Sequence, residues 1–392
     1  MAGTSSSIFN SDSAEVRTLG RFLRNGTWFV PLVLLIGAFN ALVDPAHLFD
    51  LNSYEGGIGL LLAKGYAVAN VSNYNERLVQ KSYVEHLESR NDWLVLGSSR
   101  ALQIGRDVLG ARLEKSCTFH NSSVSAASLQ DLIAIYGLYR ERGLLPQTLI
   151  IGIDPWLFNK NLEANGYLPL AREYRQMEGL LEGCPRSKFM LAQDDIRFKA
   201  LGIFQLVSPS YFQSSLEYLW KGKKQLTRDY HPLSEFHEED ESVILADGSL
   251  SYEKKFRTRE PKEVEKDAID YAEAEKVYNL AYFTQINPEL RHRFEDWIRL
   301  IRSDGVNPVL FLAPYHPAVY PRLLKRRDTH AIAEVENYIR DFSQRIGIEV
   351  AGSYDPGMDF ESQLFFDGMH PKPEVVSRIF SRLQIRCTAL RE

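Results

Sequence analysis

Ser99, Asp367 and His370 have the residue types of a nucleophile, an orienting acid and a base. Ser99 is the second of two serines that follow a glycine after a short apolar run, 93–96. Asp367 and His370 lie three residues apart near the other end of the chain. A serine nucleophile needs a base to take its proton and a carboxylate to orient that base. The two segments together therefore offer all three roles.

Each segment alone is a common feature of proteins. A Gly-Ser-Ser sequence after a strand is most often only a turn, and an isolated Asp-x-x-His is common at the start of a helix. Their chemical interpretation gains weight because they lie at opposite ends of one alternating pattern of strands and helices.

That pattern supplies the elements that would position the three residues. It predicts a fold of the α/β class, with a three-layer α/β/α arrangement around a doubly wound, mostly parallel, flavodoxin-like sheet. Ligands bind at the carboxyl ends of the strands in such sheets, and both segments would meet there. Strands are predicted at 93–96, 118–121, 147–153, 307–313 and 348–351, and helices at 75–90, 101–113, 126–142, 288–302, 329–346 and 373–390.

The interval 158–287 breaks the alternation and is rich in charged and aromatic residues. We interpret it as a largely helical insertion within one α/β domain that spans 92–392. His231 and His237 lie near an acidic run at 238–241, where a metal site is conceivable, but a solvated loop is the better interpretation. The sequence predicts no metal and no cofactor.

Residues 27–43 are uncharged and apolar, which predicts a single transmembrane helix. Arginines precede this stretch and acidic residues follow it. The positive-inside rule then places a tail, 1–26, in the cytoplasm. A juxtamembrane segment, 44–91, and the α/β domain would lie on the periplasmic side of the cytoplasmic membrane. A cleaved signal peptide and a buried core helix are the alternatives; the absence of a small-residue cleavage site favours a retained anchor.

Composition excludes some classes of function. A net charge of -5 and a pI near 6.1 argue against a nucleic-acid binder, which would show a basic face. The three cysteines, Cys117, Cys184 and Cys387, fit no metal motif. Cys117 is expected to be a buried thiol, and a bridge between Cys184 and Cys387 stays open.

The chain resembles the SGNH (GDSL-type) hydrolase superfamily. Its Gly97-Ser98-Ser99 matches the family's Gly-Asp-Ser block, with Ser98 in the place of the aspartate, and Asp367 to His370 match the late Asp-x-x-His block. The resemblance is closest to the membrane-anchored branch, which includes the DltD protein of teichoic-acid D-alanylation and the alginate O-acetylation proteins. It implies that Ser99, His370 and Asp367 form a catalytic triad.

The resemblance also indicates where an oxyanion hole would be. In the second block, 121–128, Ser123 stands where glycine is usual, and in the third, 152–155, Asp154 replaces the family's asparagine. A carboxylate would repel an oxyanion, so Asp154 must point away or the third donor is missing. Arg100 beside the nucleophile and His316 after a later strand are further candidates for contacts with a substrate.

The function implied by this resemblance is a serine esterase or O-acyltransferase outside the cytoplasm. Such an enzyme would modify a cell-envelope or exported polysaccharide by transfer of an acyl group, foremost acetyl. Because the acyl donor must cross the membrane, the resemblance implies a membrane-bound O-acyltransferase as partner. The alternative is a catalytically degenerate accessory protein of the same fold, which binds polymer or that partner.

Overall fold

The computed structural model describes residues 29–43, 54–71, 74–162, 165–183, 206–220, 230–234, 240–357 and 360–383. The chain divides into two compact units, one of residues 1–50 with 197–227 and a larger one of residues 51–196 with 228–392. All three candidate residues of the triad belong to the larger unit.

The described elements are numbered here in chain order. The strands are β1 (Ala67–Ala69), β2 (Trp93–Leu96), β3 (Phe119–Asn121), β4 (Thr148–Gly152), β5 (His231–Leu233), β6 (Val243–Ile244), β7 (Leu250–Ser251), β8 (Asn307–Leu312) and β9 (Glu349–Gly352). The helices are α1 (Phe29–Val43), α2 (Tyr54–Ala63), α3 (Glu76–His86), α4 (Arg106–Leu109), α5 (Leu129–Glu141), α6 (Ala171–Leu181), α7 (Pro209–Trp220), α8 (Lys254–Arg257), α9 (Pro261–Glu273), α10 (Pro288–Ser303), α11 (Tyr320–Lys325), α12 (Ala331–Ile346) and α13 (Pro373–Phe380).

A five-stranded sheet with the order β3-β2-β4-β8-β9 forms the centre of the larger unit. Every neighbouring pair of its strands is parallel. In the register of the sheet Leu96 lies opposite Ile151, and Gly152 lies opposite Phe311. The fold is therefore α/β with a parallel sheet, and the loops after β2, β3, β4 and β8 emerge at one edge.

Successive side chains of each strand pack on opposite faces of this sheet. On β2, Leu94 and Leu96 belong to one hydrophobic cluster, whereas Trp93 and Val95 belong to another. Helices α5, α10 and α12 cover the first face, and α4 and α13 cover the second. Burial of both faces accounts for the nearly continuous apolar runs of the strands.

The segment after β2 differs from the single helix predicted over 101–113. The chain there makes a 3₁₀ turn over Ser99–Ala101, the short helix α4 and a second 3₁₀ turn over Gly110–Arg112. Two glycines interrupt the helix: Gly105 has an extended backbone, and Gly110 has a φ of 51°.

The insertion is not only helical. Its strands β5, β6 and β7 join β1 in an antiparallel sheet with the order β5-β1-β6-β7. The turn before β7 contacts the central sheet, because Asp247 accepts hydrogen bonds from the amides of Asn121 and Arg106 at 2.7 Å each. The amide of Leu250 also donates to Leu102. The insertion thus reaches the segment that follows the candidate nucleophile.

The predicted transmembrane helix is corrected by the structure. The structure describes helix α1 over Phe29–Val43. Among the helices that the structure describes, none is long and apolar enough to cross a membrane. Within its own unit α1 packs on α7, where the rings of Phe39 and Phe212 lie 5.4 Å apart.

Cys117 is buried as expected, but it is disulfide-bonded rather than a free thiol. It lies in the hydrophobic cluster that includes Phe380 and Leu383. The chain's other cysteines, Cys184 and Cys387, lie outside the described residues.

His120 on β3 is a buried histidine with a distinctive environment. Its ring stacks on that of Tyr83 at a centroid distance of 3.6 Å, and its Nε2 has no hydrogen-bond partner among the described residues. Burial lowers the pKa of His120 to about 3. In the unfolded chain the imidazole of His120 is protonated near pH 6.5. The free energy of unfolding therefore decreases as the pH falls from about 6.5 towards the pKa of the folded state.

We expect His120→Phe to remove this pH dependence. In the wild-type protein, this one site should lower the free energy of unfolding by up to about 1.4 kcal/mol per pH unit between pH 6 and 4. Urea unfolding at several pH values measures the slope. His292→Phe is the control, because the His292 side chain is 76 % exposed and should leave the slope unchanged. Equal slopes in the wild type and His120→Phe would contradict the prediction.

Candidate active site

The Ser99 side chain is positioned by a sharp turn at the carboxyl end of β2. A Cβ atom on Gly97 would lie 2.6 Å from the Cβ of Ala101, so only glycine fits there. Ser98 then caps the 3₁₀ turn by accepting a hydrogen bond from the amide of Arg100 at 3.1 Å. These local contacts place Ser99 at the first position of the turn, beyond the edge of the sheet.

Asp367 and His370 lie in a tight loop held by its own backbone. The Asp367 carboxylate accepts hydrogen bonds from the amides of Met369 and His370 at 2.7 and 2.9 Å. The amide of Phe366 donates to the carbonyl of His370 at 2.9 Å. At Gly368 a Cβ would approach α9 and Val319 within 3.4 Å, so a glycine lets the loop pass this close to its neighbours.

The structure brings the three candidate residues together. The Nε2 atom of His370 lies 2.8 Å from the Oγ of Ser99. On the other side of the imidazole, Nδ1 lies 2.8 and 3.0 Å from the two carboxylate oxygens of Asp367. Both contacts have the length of normal hydrogen bonds. Ser99 and His370 are 271 residues apart in the chain, so the fold as a whole sets their approach.

Electrostatics determine which way these hydrogen bonds run. Burial alone would raise the pKa of Asp367, but the adjacent His370 and the backbone amides outweigh it, so the pKa lies below its usual value. An ionised carboxylate can only accept, so Nδ1 of His370 carries the proton. The lone pair of Nε2 then faces the hydroxyl of Ser99, the arrangement of a general base beside its nucleophile.

Arg100 is buried inside the protein, which corrects the expectation that it contacts a substrate. Its side chain is 1 % exposed. The guanidinium donates to Asp154 at 3.1 Å, to the carbonyl of Met369 at 3.1 Å and to the carbonyl of Ala313. It also stacks over the ring of Tyr315 at 3.9 Å. Its donors are therefore engaged within the protein.

Asp154 is buried with this arginine. Burial raises the pKa of Asp154, while the charge of Arg100 and hydrogen bonds from Ser98 and Arg100 oppose the rise. The carboxylate therefore faces Arg100 and Ser98. In this position Asp154 offers no donor to an oxyanion.

His316 supports the loop of His370 from behind and is fully buried. Its amide donates to the carbonyl of Gly368 at 3.1 Å, and its Nδ1 accepts from the amide of Ala318 at 3.0 Å. Burial lowers the pKa of His316. It thus lies at the predicted edge of the sheet but is buried there, so it offers no surface to a substrate.

The amide of Ser123 is occupied: it donates to the Asn121 side chain at 2.9 Å. A different residue of the same loop, Ala126, has its amide free. Among the described residues, neither the Ala126 amide nor that of Ser99 donates a hydrogen bond. Ala126 has a φ of 52°, a conformation that costs a residue other than glycine about 1–2 kcal/mol. Ala126 could not be identified from the sequence, because alanine gives no signal of positive φ.

Tyr252, which follows β7 in the insertion, was also missed. Its ring lies 6.2 Å from that of His370 and 5.2 Å from that of Phe366, edge to face in both cases. Burial raises the pKa of Tyr252, and the charges of Asp367 and Glu76 add to the rise. No local motif marks this tyrosine, since only the packing of the insertion brings it to the site.

No group of three or more metal-ligating side chains lies together in the part of the chain that the structure describes, and His237 is outside that part. Neither a known protein family nor a curated protein matches the sequence of this chain.

We expect Asp154→Ala to destabilise the fold strongly, because it leaves the Arg100 charge buried without its partner. Removing one member of a buried ion pair costs about 3–5 kcal/mol of unfolding free energy, measurable by denaturant unfolding. The control is Glu141→Ala, which breaks an exposed pair with Arg172 and should cost less than about 1 kcal/mol. Similar losses in the two variants would refute the interpretation.

Proposed function

We propose that this protein is an extracytoplasmic serine esterase or O-acyltransferase that acts on acyl groups, foremost acetyl, of a cell-envelope or exported polysaccharide. The observation that carries the proposal is the pair of hydrogen bonds that links Ser99 to His370 and His370 to Asp367. If Ser99 belonged only to a solvated turn and His370 only to an unrelated loop, we would not expect a contact of 2.8 Å with the imidazole oriented for proton transfer.

The proposed reaction has two acyl transfers. Ser99 Oγ attacks the acyl carbonyl while Nε2 of His370 takes its proton, and a tetrahedral intermediate forms. His370 returns the proton to the departing alcohol as the carbon–oxygen bond breaks, which leaves an acyl group on Ser99. A second alcohol, or water, then attacks this ester and loses its proton to His370. The bond from the acyl carbon to Ser99 Oγ breaks as His370 returns that proton to Ser99. Asp367 stabilises the imidazolium in both steps.

The negative charge of each intermediate needs hydrogen-bond donors. We assign the free amides of Ser99 and Ala126 to this role. Ser99 follows β2 and Ala126 follows β3, and these strands are adjacent and parallel. The loops after them are joined by a hydrogen bond of 3.0 Å from the amide of Val124 to the carbonyl of Gly97. With Asp154 turned to Arg100, no third donor comes from its position. Loss of one donor costs ~10²–10³ in rate in other acyl-transfer enzymes, which favours transfer or slow turnover over rapid hydrolysis.

The acceptor and the partner are proposed from the resemblance to the SGNH branch that modifies envelope polymers. A glycan hydroxyl would take the acyl group from Ser99, and a membrane-bound O-acyltransferase would supply it. The disulfide of Cys117 supports a location outside the cytoplasm, because such bonds persist in oxidising compartments.

A catalytically degenerate protein that binds polymer or the partner is the second candidate. The loss of the third-block donor through Asp154 favours it, whereas the intact contact of Ser99 with His370 opposes it. The two candidates differ in whether Ser99 is a nucleophile.

We expect a fluorophosphonate probe to label the full-length protein at Ser99. Ser99→Ala should abolish labelling, and His370→Ala should lower its rate by at least about 10³-fold, because members of a triad act as a unit. Ser303→Ala is a control for the loss of a serine, since that residue is exposed at the last position of α10 and lies outside the triad. A wild-type protein that stays unlabelled would favour the binding protein over the enzyme.

We expect alkylation of the denatured, unreduced protein isolated from cells to modify one cysteine. The chain has three cysteines, and the disulfide of Cys117 leaves one of them free. Mass spectrometry counts the adducts, and a reduced sample should carry all three. Three adducts without reduction would indicate a reducing compartment and contradict the proposed location.

A further inference from the structure

The loop that carries Ala126 connects β3 to α5 and depends on an acidic residue from a different helix. Glu76, the first residue of α3, accepts a hydrogen bond from the Ser125 hydroxyl at 2.8 Å through Oε1. Its other oxygen accepts from the Ser125 backbone amide. A single carboxylate therefore holds both polar groups of the residue that immediately precedes Ala126.

Glu76 is itself held in place by the start of its helix. Asn75 caps α3 by accepting a hydrogen bond from the amide of Arg77 at 3.1 Å. Arg77 pairs with Asp131 at 3.0 Å, and Asp131 forms the capping box of α5 with Ser128. The turn from 125 to 128 is thus fixed at one end by Glu76 and at the other by Asp131.

This support bears on the conformation of Ala126. A φ of 52° is unfavourable for alanine, so the loop keeps it only when its surroundings impose it. Since Glu76 fixes the amide and the side chain of Ser125, it also restricts the peptide that carries the Ala126 amide.

Glu76 acts electrostatically on a tyrosine that packs beside the triad. Tyr252, whose ring is 6.2 Å from that of His370, interacts electrostatically with both Asp367 and Glu76. The charged or titratable groups that act on Glu76 are Arg77 and Asp131, and it acts in turn on Tyr74 and Tyr252.

We infer that Glu76 is a positioning residue of the active site. It acts through Ser125 to hold the Ala126 amide where the oxyanion of the acyl intermediate develops. This inference rests on the proposed function. It predicts that Glu76 affects the chemical step more than the binding of substrate, because the amide hydrogen bond strengthens as charge develops.

The test uses the full-length chain, with the rate of fluorophosphonate labelling of Ser99 and the hydrolysis of an aryl acetate as readouts. Glu76→Ala should lower the labelling rate and kcat by about 10- to 100-fold, with KM within about twofold. Glu76→Gln keeps an acceptor for the Ser125 amide and should retain at least about a third of the rate. Glu85→Ala, an exposed glutamate of the same helix, is the matched control and should change neither readout.

A second variant separates positioning from a general loss of structure. Glycine adopts positive φ without support, so adding Ala126→Gly to Glu76→Ala should recover part of the lost rate. Unchanged labelling in Glu76→Ala, or the same loss in Glu76→Gln, would overturn the role of Glu76 alone. An unlabelled wild-type protein would overturn the proposed function together with this inference.

Discussion

The buried guanidinium of Arg100 is the contact on which the geometry of the site depends. A charge removed from water must have its donors satisfied, and Arg100 satisfies them with groups that follow different strands. Asp154 follows β4, the carbonyl of Ala313 follows β8, and the carbonyl of Met369 belongs to the loop of His370. Because Arg100 directly follows Ser99 and binds the loop of His370, its side chain also helps to hold Ser99 beside His370.

This arrangement gives a physical account of Asp154. A carboxylate near an oxyanion would oppose acyl transfer, yet here it neutralises a buried cation at 3.1 Å. Asp154 therefore stabilises the packed loops at this edge of the sheet. The free amide of Ala126 needs an unfavourable backbone conformation, which the carboxylate of Glu76 supports from α3 through Ser125. Two carboxylates at this edge of the sheet thus hold different groups: Asp154 holds Arg100, and Glu76 holds Ser125.

The insertion is part of this edge. The turn before β7 bonds to the backbone of β3 and α4, and Tyr252 immediately after β7 packs edge-on to His370. The rings of Phe256 and Phe366 extend this aromatic surface. Segments far apart in the chain therefore enclose the imidazole of His370, whose side chain is 13 % exposed. They exclude more water from the imidazole than its own loop would. A drier site strengthens the hydrogen bond between His370 and the ionised Asp367.

The sequence by itself determined the elements with strong local signals and the residue types of the triad. The strand Trp93–Leu96 was predicted with its observed bounds, because a buried parallel strand reads as an apolar run, and the Asp367 loop is closed by contacts within three residues. Only the tertiary structure decided that Arg100 points inward, and that the amide of Ala126 rather than that of Ser123 donates no hydrogen bond among the described residues. The partners of Arg100 lie 54, 213 and 269 residues away. No pattern of neighbouring residues encodes such contacts, since they arise only when the packed strands bring their ends together.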